Sequence, residues 1–457
     1  MRIVCTVSLI LSLLLFTPAS APAATIAGES TTYLQSRQLV DGTNQLPLYE
    51  YLNLSVQDIG KDTISFQFGG WFRYELKDTE SDHRTNNDLS YAYLSYRSKS
   101  ANTIVNVGRV MVFEGVASDR VDGVYAKTDL RNNFGISAFG GSPAETGTDL
   151  PGNKNIYGTR LSHQIPGLYQ IGISYVREEK DSAVFREEEG ADLWLKPAGK
   201  VELLGKSRYN AMTKAWSEHT YFLSLGPFEK VRLNTEASKV NYKDYFTGMT
   251  TKAFDFTKSS IDPKDKVTIL GEEAAYSATD RLTVGVNYKA YAYEIAGNAK
   301  NYGGSIKYVV VGTGGAGFVI NKMAGATDKL KYAQYRVYGF RKFGHSDVTV
   351  DVMKVAYVAA VNGVKDAYSS TLAASYELTE RIKLGADLEY SKTPDFDKEV
   401  RTLIKLTYSF DTAKTAHKAP EQGTSVAPPA QTAPQAGAEQ TTPATAPDQG
   451  KRKEGAE

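Results

Sequence analysis

The segment Tyr308-Val-Val-Val-Gly312-Thr-Gly314-Gly-Ala-Gly317 is the stretch whose residue types and spacing most resemble a chemical site. It is a G-x-G-x-x-G after an apolar run, a form in which backbone amides hold a dinucleotide pyrophosphate. That use requires a helix directly after the glycines and an acidic residue about 20 positions on, at the end of a second strand. Here Phe318-Val-Ile-Asn-Lys-Met-Ala-Gly325 follows, and Tyr335 to Phe340 contains no Asp or Glu. The segment reads as a glycine-rich turn between two strands. The other candidates are sparser. His83, His163, His219, His345 and His417 are scattered, with no i,i+4 pair to seat a metal. Cys5 is the sole cysteine, and neither G-x-S-x-G nor C-x-x-C-H occurs. No catalytic residue, metal site or cofactor is expected, and the chain does not read as an enzyme.

The elements that carry these residues alternate with period two. In Thr63 to Leu76, Ile64, Phe66, Phe68, Phe72 and Tyr74 share one face with Gly70. Ser65, Gln67, Arg73 and Glu75 share the other with Trp71. Leu282 to Lys289 and Ile382 to Tyr390 repeat the pattern, placing Lys289, Lys383, Asp387 and Glu389 on their polar faces. An apolar face backed by mid-strand charge suits a strand between lipid and a water-filled lumen. Arg73, Glu75, Lys289, Lys383, Asp387 and Glu389 are therefore the candidate pore-lining residues. No later segment is a continuous apolar run long enough for a membrane helix.

Met1 to Ala24 has a basic start, an apolar run from Leu9 to Phe16 and small residues at Ala21, Ala23 and Ala24, the pattern of a secretory signal. Residues 25–410 read as one all-β unit. Short turns are expected at Ile59–Asp62, Arg131–Asn133, Pro166-Gly167, Gly226-Pro227 and Gly344–Ser346. Tyr276-Ser-Ala-Thr279-Asp280-Arg281 and Tyr376-Glu-Leu-Thr379-Glu380-Arg381 repeat one hairpin motif. Longer polar connections are expected at Lys77–Thr85, Gly141–Lys154, Glu178–Gly190, Asn241–Asp265 and Thr393–Lys398. The acidic run Glu187-Glu188-Glu189 would then be a solvated loop, with divalent-cation binding at a lipid surface as its less favoured use. Residues 411–457, rich in Pro, Ala, Gln and Thr, cannot bury enough surface to fold and read as a disordered periplasmic tail.

The last strand pattern is Arg401 to Phe410, with Ile404, Leu406, Tyr408 and Phe410 on one parity. It resembles the closing strand of Gram-negative outer-membrane barrels, which ends in aromatic-x-aromatic, here Tyr408-Ser409-Phe410. The resemblance implies that Tyr408 and Phe410 form the signal read by the barrel-assembly machinery. Lys405 stands where that family usually has glycine, and the chain continues to Glu457 beyond the final aromatic. A second stretch resembles the general porins: Tyr91-Ala-Tyr93-Leu94-Ser95, then Val105-Asn-Val107-Gly108-Arg109, then Asp122-Gly123-Val124-Tyr125. In that family the segment after Gly-Arg folds into the pore. Phe113 to Arg120 reads as too short for this, which leaves Gly141–Lys154 or Asn241–Asp265 as the expected narrowing loop.

The expected fold is a transmembrane antiparallel up-and-down β-barrel of about 22 strands, with a porin-sized 16 or 18 also compatible. The resemblance implies a passive diffusion channel in the outer membrane for small hydrophilic solutes or ions. The alternative is a structural sheath around a cytochrome partner in extracellular electron transfer. Expected partners are outer-membrane lipid, lipopolysaccharide and the assembly machinery. Homo-oligomerisation is left open, and no nucleic-acid partner is expected.

Overall fold

The computed structural model describes residues 24–412 except 39–41, 60–62, 78–83, 146–152, 247–261, 263 and 395–397. The expected signal before Ala24 and the tail after Thr412 lie outside the described residues, as do the central parts of the Gly141–Lys154 and Asn241–Asp265 connections. The strand Thr25–Gln38 pairs antiparallel with Pro47–Gln57 on one side and with Glu399–Asp411 on the other. Thr31 accordingly sits opposite both Tyr51 and Thr407, and the sheet closes. Every other strand pairs with its sequence neighbours, antiparallel throughout. The two-residue piece Asn44–Gln45 continues Pro47–Gln57 past Leu46, so the closed barrel has 22 staves. Closure joins the first strand to the last, the condition for crossing a bilayer with strands.

Alternation sets the two faces. Ile173 is 61% exposed, Val286 60% and Leu406 42%, while their neighbours Ser174, Gly285 and Thr407 are buried. Apolar exposure of this kind all round a closed sheet is stable only in lipid. Closing-strand aromatics also support the seam. The Phe410 ring stacks on Tyr408 with centroids 5.9 Å apart and lies over Gly28 of the first strand, where a Cβ would come within 2.5 Å of the ring.

Turn chemistry explains the repeated hairpin. In Thr279-Asp280-Arg281 the threonine hydroxyl accepts from the amides of Arg281 (3.2 Å) and Leu282 (3.0 Å). Thr379 does the same for Arg381 (3.2 Å) and Ile382 (3.1 Å). A side-chain acceptor placed two residues back closes the turn without a longer loop. The glycine-rich segment is a turn at Val311–Thr313 between Asn298–Val310 and Gly314–Ala324, and no helix follows it. Gly317 lies under the ring of Tyr338.

One expected loop is corrected. Glu178 to Gly190 is not a polar connection but two long strands, Tyr169–Lys180 and Ala183–Ala198, joined at Asp181-Ser182. Both turn residues have positive φ, 51° and 65°, the geometry of a two-residue hairpin. The acidic run therefore alternates across a strand. Glu188 points inward and is fully buried, while Glu187 points outward and accepts from the Tyr175 hydroxyl (2.7 Å).

Where the connection after Asn241 rejoins the sheet, Asp265 is buried at the start of the strand Lys266–Ser277. Its carboxylate accepts from the amides of Lys266 (2.8 Å), Ile295 (2.9 Å) and Ala296 (3.0 Å), tying the 294–297 turn to the barrel. Burial pushes its pKa up, but these amides outweigh burial and hold it below the ordinary carboxylate value. Its contribution to stability is therefore complete above the ordinary carboxylate range and is lost as pH falls through the lower folded value. Asp265→Ala is expected to cost about 1–3 kcal/mol by orphaning buried amides. Urea unfolding in liposomes at pH 7 should show the full loss. Repeated below about pH 4, the gap between wild type and variant should narrow, and an unchanged gap would rule out this assignment.

Candidate functional site

The wall opens inward at one place. Strand Thr103–Glu114 pairs with its earlier neighbour only as far as Ala92↔Arg109. Strand Ala117–Asp129 pairs with its later neighbour only from Val121↔Pro143. Past these points the two strands run on paired with each other, from Met111↔Arg120 to Glu114↔Ala117, with the Ala144 amide still donating to the Arg120 carbonyl (2.7 Å) at the root. The result is a free two-stranded ribbon. At its root, Gly108 faces Gly123, and Gly123 faces Gly141. A Cβ on Gly123 would meet the Gly140 carbonyl at 2.1 Å, and one on Gly141 would meet the Asp122 carbonyl at 2.3 Å. Gly108 adopts φ +131°. Three aligned glycines let neighbouring backbones approach and the ribbon bend away from the wall.

The ribbon lies on the inner face of the strands that follow it. Val110, Val112, Val116, Ala117 and Val121 are buried against Phe139, Ile156 and Val176 of three wall strands. Gly190 leaves the socket for Val116, since a Cβ there would reach the valine side chain at 2.3 Å. Polar contacts fix the tip. The Val116 amide donates to Ser174 Oγ (3.0 Å), and Arg186 donates to the Val116 carbonyl (3.2 Å) and to Asp119 (2.8 Å). Glu114 accepts from Tyr125 and lies 3.7 Å from Arg160. Arg120 pairs with Asp88 at 2.6 Å, and Arg109 holds Asp122 through two bonds of 2.6 and 2.7 Å. The ribbon's other face carries Met111 and Phe113, the latter 68% exposed towards the barrel interior.

The charges continue along the same inner face. Arg186 bonds Glu188 at 2.9 Å, Glu188 lies 3.8 Å from Arg208, and Arg160 bonds Asp192 at 2.6 Å. The short helix Tyr242–Phe246 covers the end of this ladder, with the Tyr245 ring 5.4 Å from the Arg208 guanidinium. Buried charges of both signs, paired in a polar interior, fix geometry more than they add stability.

The six candidate residues read from the sequence fall on this same inner face by register, but around the barrel and not at one point. Arg73 and Glu75 pair with each other at 2.9 Å. Glu75 is 2% exposed and also accepts from the Leu46 amide at 2.7 Å, so it holds the irregular start of Pro47–Gln57. Lys289 pairs with Glu236 at 2.5 Å, and Lys383 with Asp347 at 3.3 Å. Glu389 lies 3.9 Å from Arg401, and Asp387 sits between Ala373 and Leu403. The sequence reading missed Glu114, Asp119, Arg160 and Arg186, and it placed Glu188 in a solvated loop. It also took Phe113–Arg120 as too short to enter the lumen, and that is corrected here. A ribbon needs no loop length when both its strands simply continue past the wall.

No protein-family model and no curated protein sequence matches the chain. Solved structures do. The siderophore receptor PirA from Pseudomonas aeruginosa aligns with TM-score 0.54 at 10% identity, covering 86% of this chain and 81% of that one. The copper transporter OprC aligns with the same score, identity and coverage. Acinetobacter baumannii OccAB4 aligns with TM-score 0.44 at 12% identity, over 86% of this chain and all of that one. Closed register, apolar exterior and charged interior together make this chain a 22-strand antiparallel β-barrel of the kind that crosses a lipid bilayer, the fold it shares with the PirA and OprC structures.

Proposed function

We propose that the barrel is a passive diffusion channel for small hydrophilic solutes or ions, narrowed by the ribbon Val110–Val121. The observation that carries this reading is the ribbon itself. It is bound to one side of the inner wall by buried valines and ion pairs. A partition of this kind reduces the bore without filling it. Selection is then steric and electrostatic, with no catalysis. The paired inner charges favour weak ion preference over strong. In the same reading the lipid face meets lipopolysaccharide, and Tyr408-Ser409-Phe410 is the segment engaged during assembly.

Planar-bilayer recording tests the proposal. The purified barrel should give stable open-channel steps. Asp387→Lys changes an inner charge that forms no ion pair among the described residues, although Lys405 on the next strand attracts it. It should move the reversal potential in a salt gradient towards anion preference. Arg73→Glu is the poorer probe, because it would set a second carboxylate beside buried Glu75. A barrel that never conducts, and that co-purifies with a haem protein, would replace the channel reading with the sheath.

A further inference from the structure

Next to the ribbon, the inner wall carries a patch the channel reading does not require. Tyr33, Tyr49, Tyr51, Trp71, Tyr91 and Tyr93 lie on four consecutive staves and share the inner face. Tyr33 is directly opposite Tyr49, and Tyr51 is opposite Trp71. Their rings form two groups, Tyr33, Tyr49, Tyr51 and Trp71 in one and Tyr91 and Tyr93 in the other. Centroids are 5.3 Å apart for Tyr33–Tyr51, 6.1 Å for Tyr49–Tyr51, 6.4 Å for Tyr51–Trp71 and 6.1 Å for Tyr91–Tyr93. Tyr91 is opposite Gly69, and a Cβ there would lie 2.4 Å from its ring, so glycine lets that ring lie against the wall. Tyr51, at the centre, is 37% exposed. Tyr93 packs on the valine cluster under the ribbon, and Asp88, opposite Trp71, holds the ribbon through Arg120. The patch therefore flanks the narrowed part of the path.

We propose that this patch is a stacking site for the pyranose rings of a carbohydrate in transit. The inference rests on the channel reading for the words "in transit" and on the rings alone for binding. An apolar surface turned to an aqueous lumen is held by no packing need, because the backbone ladder already closes the sheet. Tyr and Trp faces carry negative charge density that attracts the polarised C–H face of a sugar. The polar groups beside the rings suit hydroxyls. Asn53 takes the Tyr91 hydroxyl at 3.2 Å, and Gln67 donates to Ser55 at 2.9 Å. Both are amides, able to donate and accept at once. An aromatic carboxylate fits less well, because the bordering cations are engaged. Arg73 bonds Glu75 at 2.9 Å and sits 5.9 Å over Tyr49, and Lys405 lies 5.3 Å over Tyr33.

The test uses maltohexaose, cellohexaose and benzoate as probes, with two readouts. Blockade of single-channel current reports a solute in the path. Tryptophan fluorescence of the barrel in lipid vesicles reports binding without conduction. At least one hexaose should block the current for resolved intervals and change fluorescence saturably, and benzoate should do neither. Tyr51→Ala and Trp71→Ala should each shorten the blockades by roughly 3- to 10-fold, whereas Tyr51→Phe, which keeps the ring, should stay near wild type. Saturable sugar binding with no conduction would sink the channel reading and keep the site. Conduction with no saturable response to either hexaose would overturn the site, as would binding by benzoate that is lost in Tyr51→Ala.

Discussion

Arg186→Ala will raise single-channel conductance and make the open current noisy. Arg186 bonds the ribbon at both Val116 and Asp119 while also neutralising Glu188. Its removal leaves Glu188, which is fully buried, with only Arg208 at 3.8 Å. An uncompensated buried charge costs about 3–5 kcal/mol. The 22 staves do not depend on this pair, since each is held by a continuous antiparallel ladder. The cost therefore falls on docking of the ribbon, the only element whose position Arg186 fixes from outside its own hairpin. An undocked ribbon samples several positions, and each gives a different bore. The double variant Arg186→Ala with Glu188→Gln separates the two effects. It should recover part of the stability against urea, because the fully buried Glu188 no longer carries a charge, although Arg208 and Asp119 lose their partners, and should keep the noisy, larger conductance, because Asp119 and Val116 still lack Arg186. Wild-type conductance in Arg186→Ala would mean that the ribbon does not set the bore.

The wall of the barrel was readable from residue types because its cause is local. A strand between lipid and water must alternate, and Ile64 to Glu75 or Ile382 to Lys392 can do so only one way. The ribbon was not readable by the same rule. Val110 and Val112 alternate with Met111 and Phe113, so both faces of that hairpin are apolar and the pattern does not say which wall it will meet. Its signal lay instead in Gly108, Gly123 and Gly141, which become a hinge only once the register aligns them. Glu187-Glu188-Glu189 misled for the opposite reason. Charge density suggested a loop, whereas the strand period sends Glu188 inward to Arg186 and its neighbours outward. Trp71, the one large apolar residue on the polar side of its strand, was the visible trace of the aromatic patch. Tyr33, Tyr49 and Tyr91 join it only through pairing between strands, which no single segment records.

Phe68→Arg tests which face meets lipid. Phe68 lies near the middle of Ile64–Glu75, opposite Leu54 on one side and Ala92 on the other. Its parity is that of Phe66 and Phe72, not that of Gln67, Trp71 and Arg73. An arginine there would place a charge in hydrocarbon near the bilayer midplane, at about 2–4 kcal/mol. Urea unfolding in liposomes should register that loss directly. Ion selectivity should change little, because the new charge is separated from the lumen by the sheet. Asp387→Lys gives the mirror result, a shifted reversal potential with little loss of stability, because the inner face is wet. The comparison discriminates better than either variant alone, since a general folding defect would lower stability in both. If Phe68→Arg unfolds like wild type and alters selectivity instead, the inner and outer faces have been exchanged, and with them the placement of the ribbon, the charge ladder and the aromatic patch.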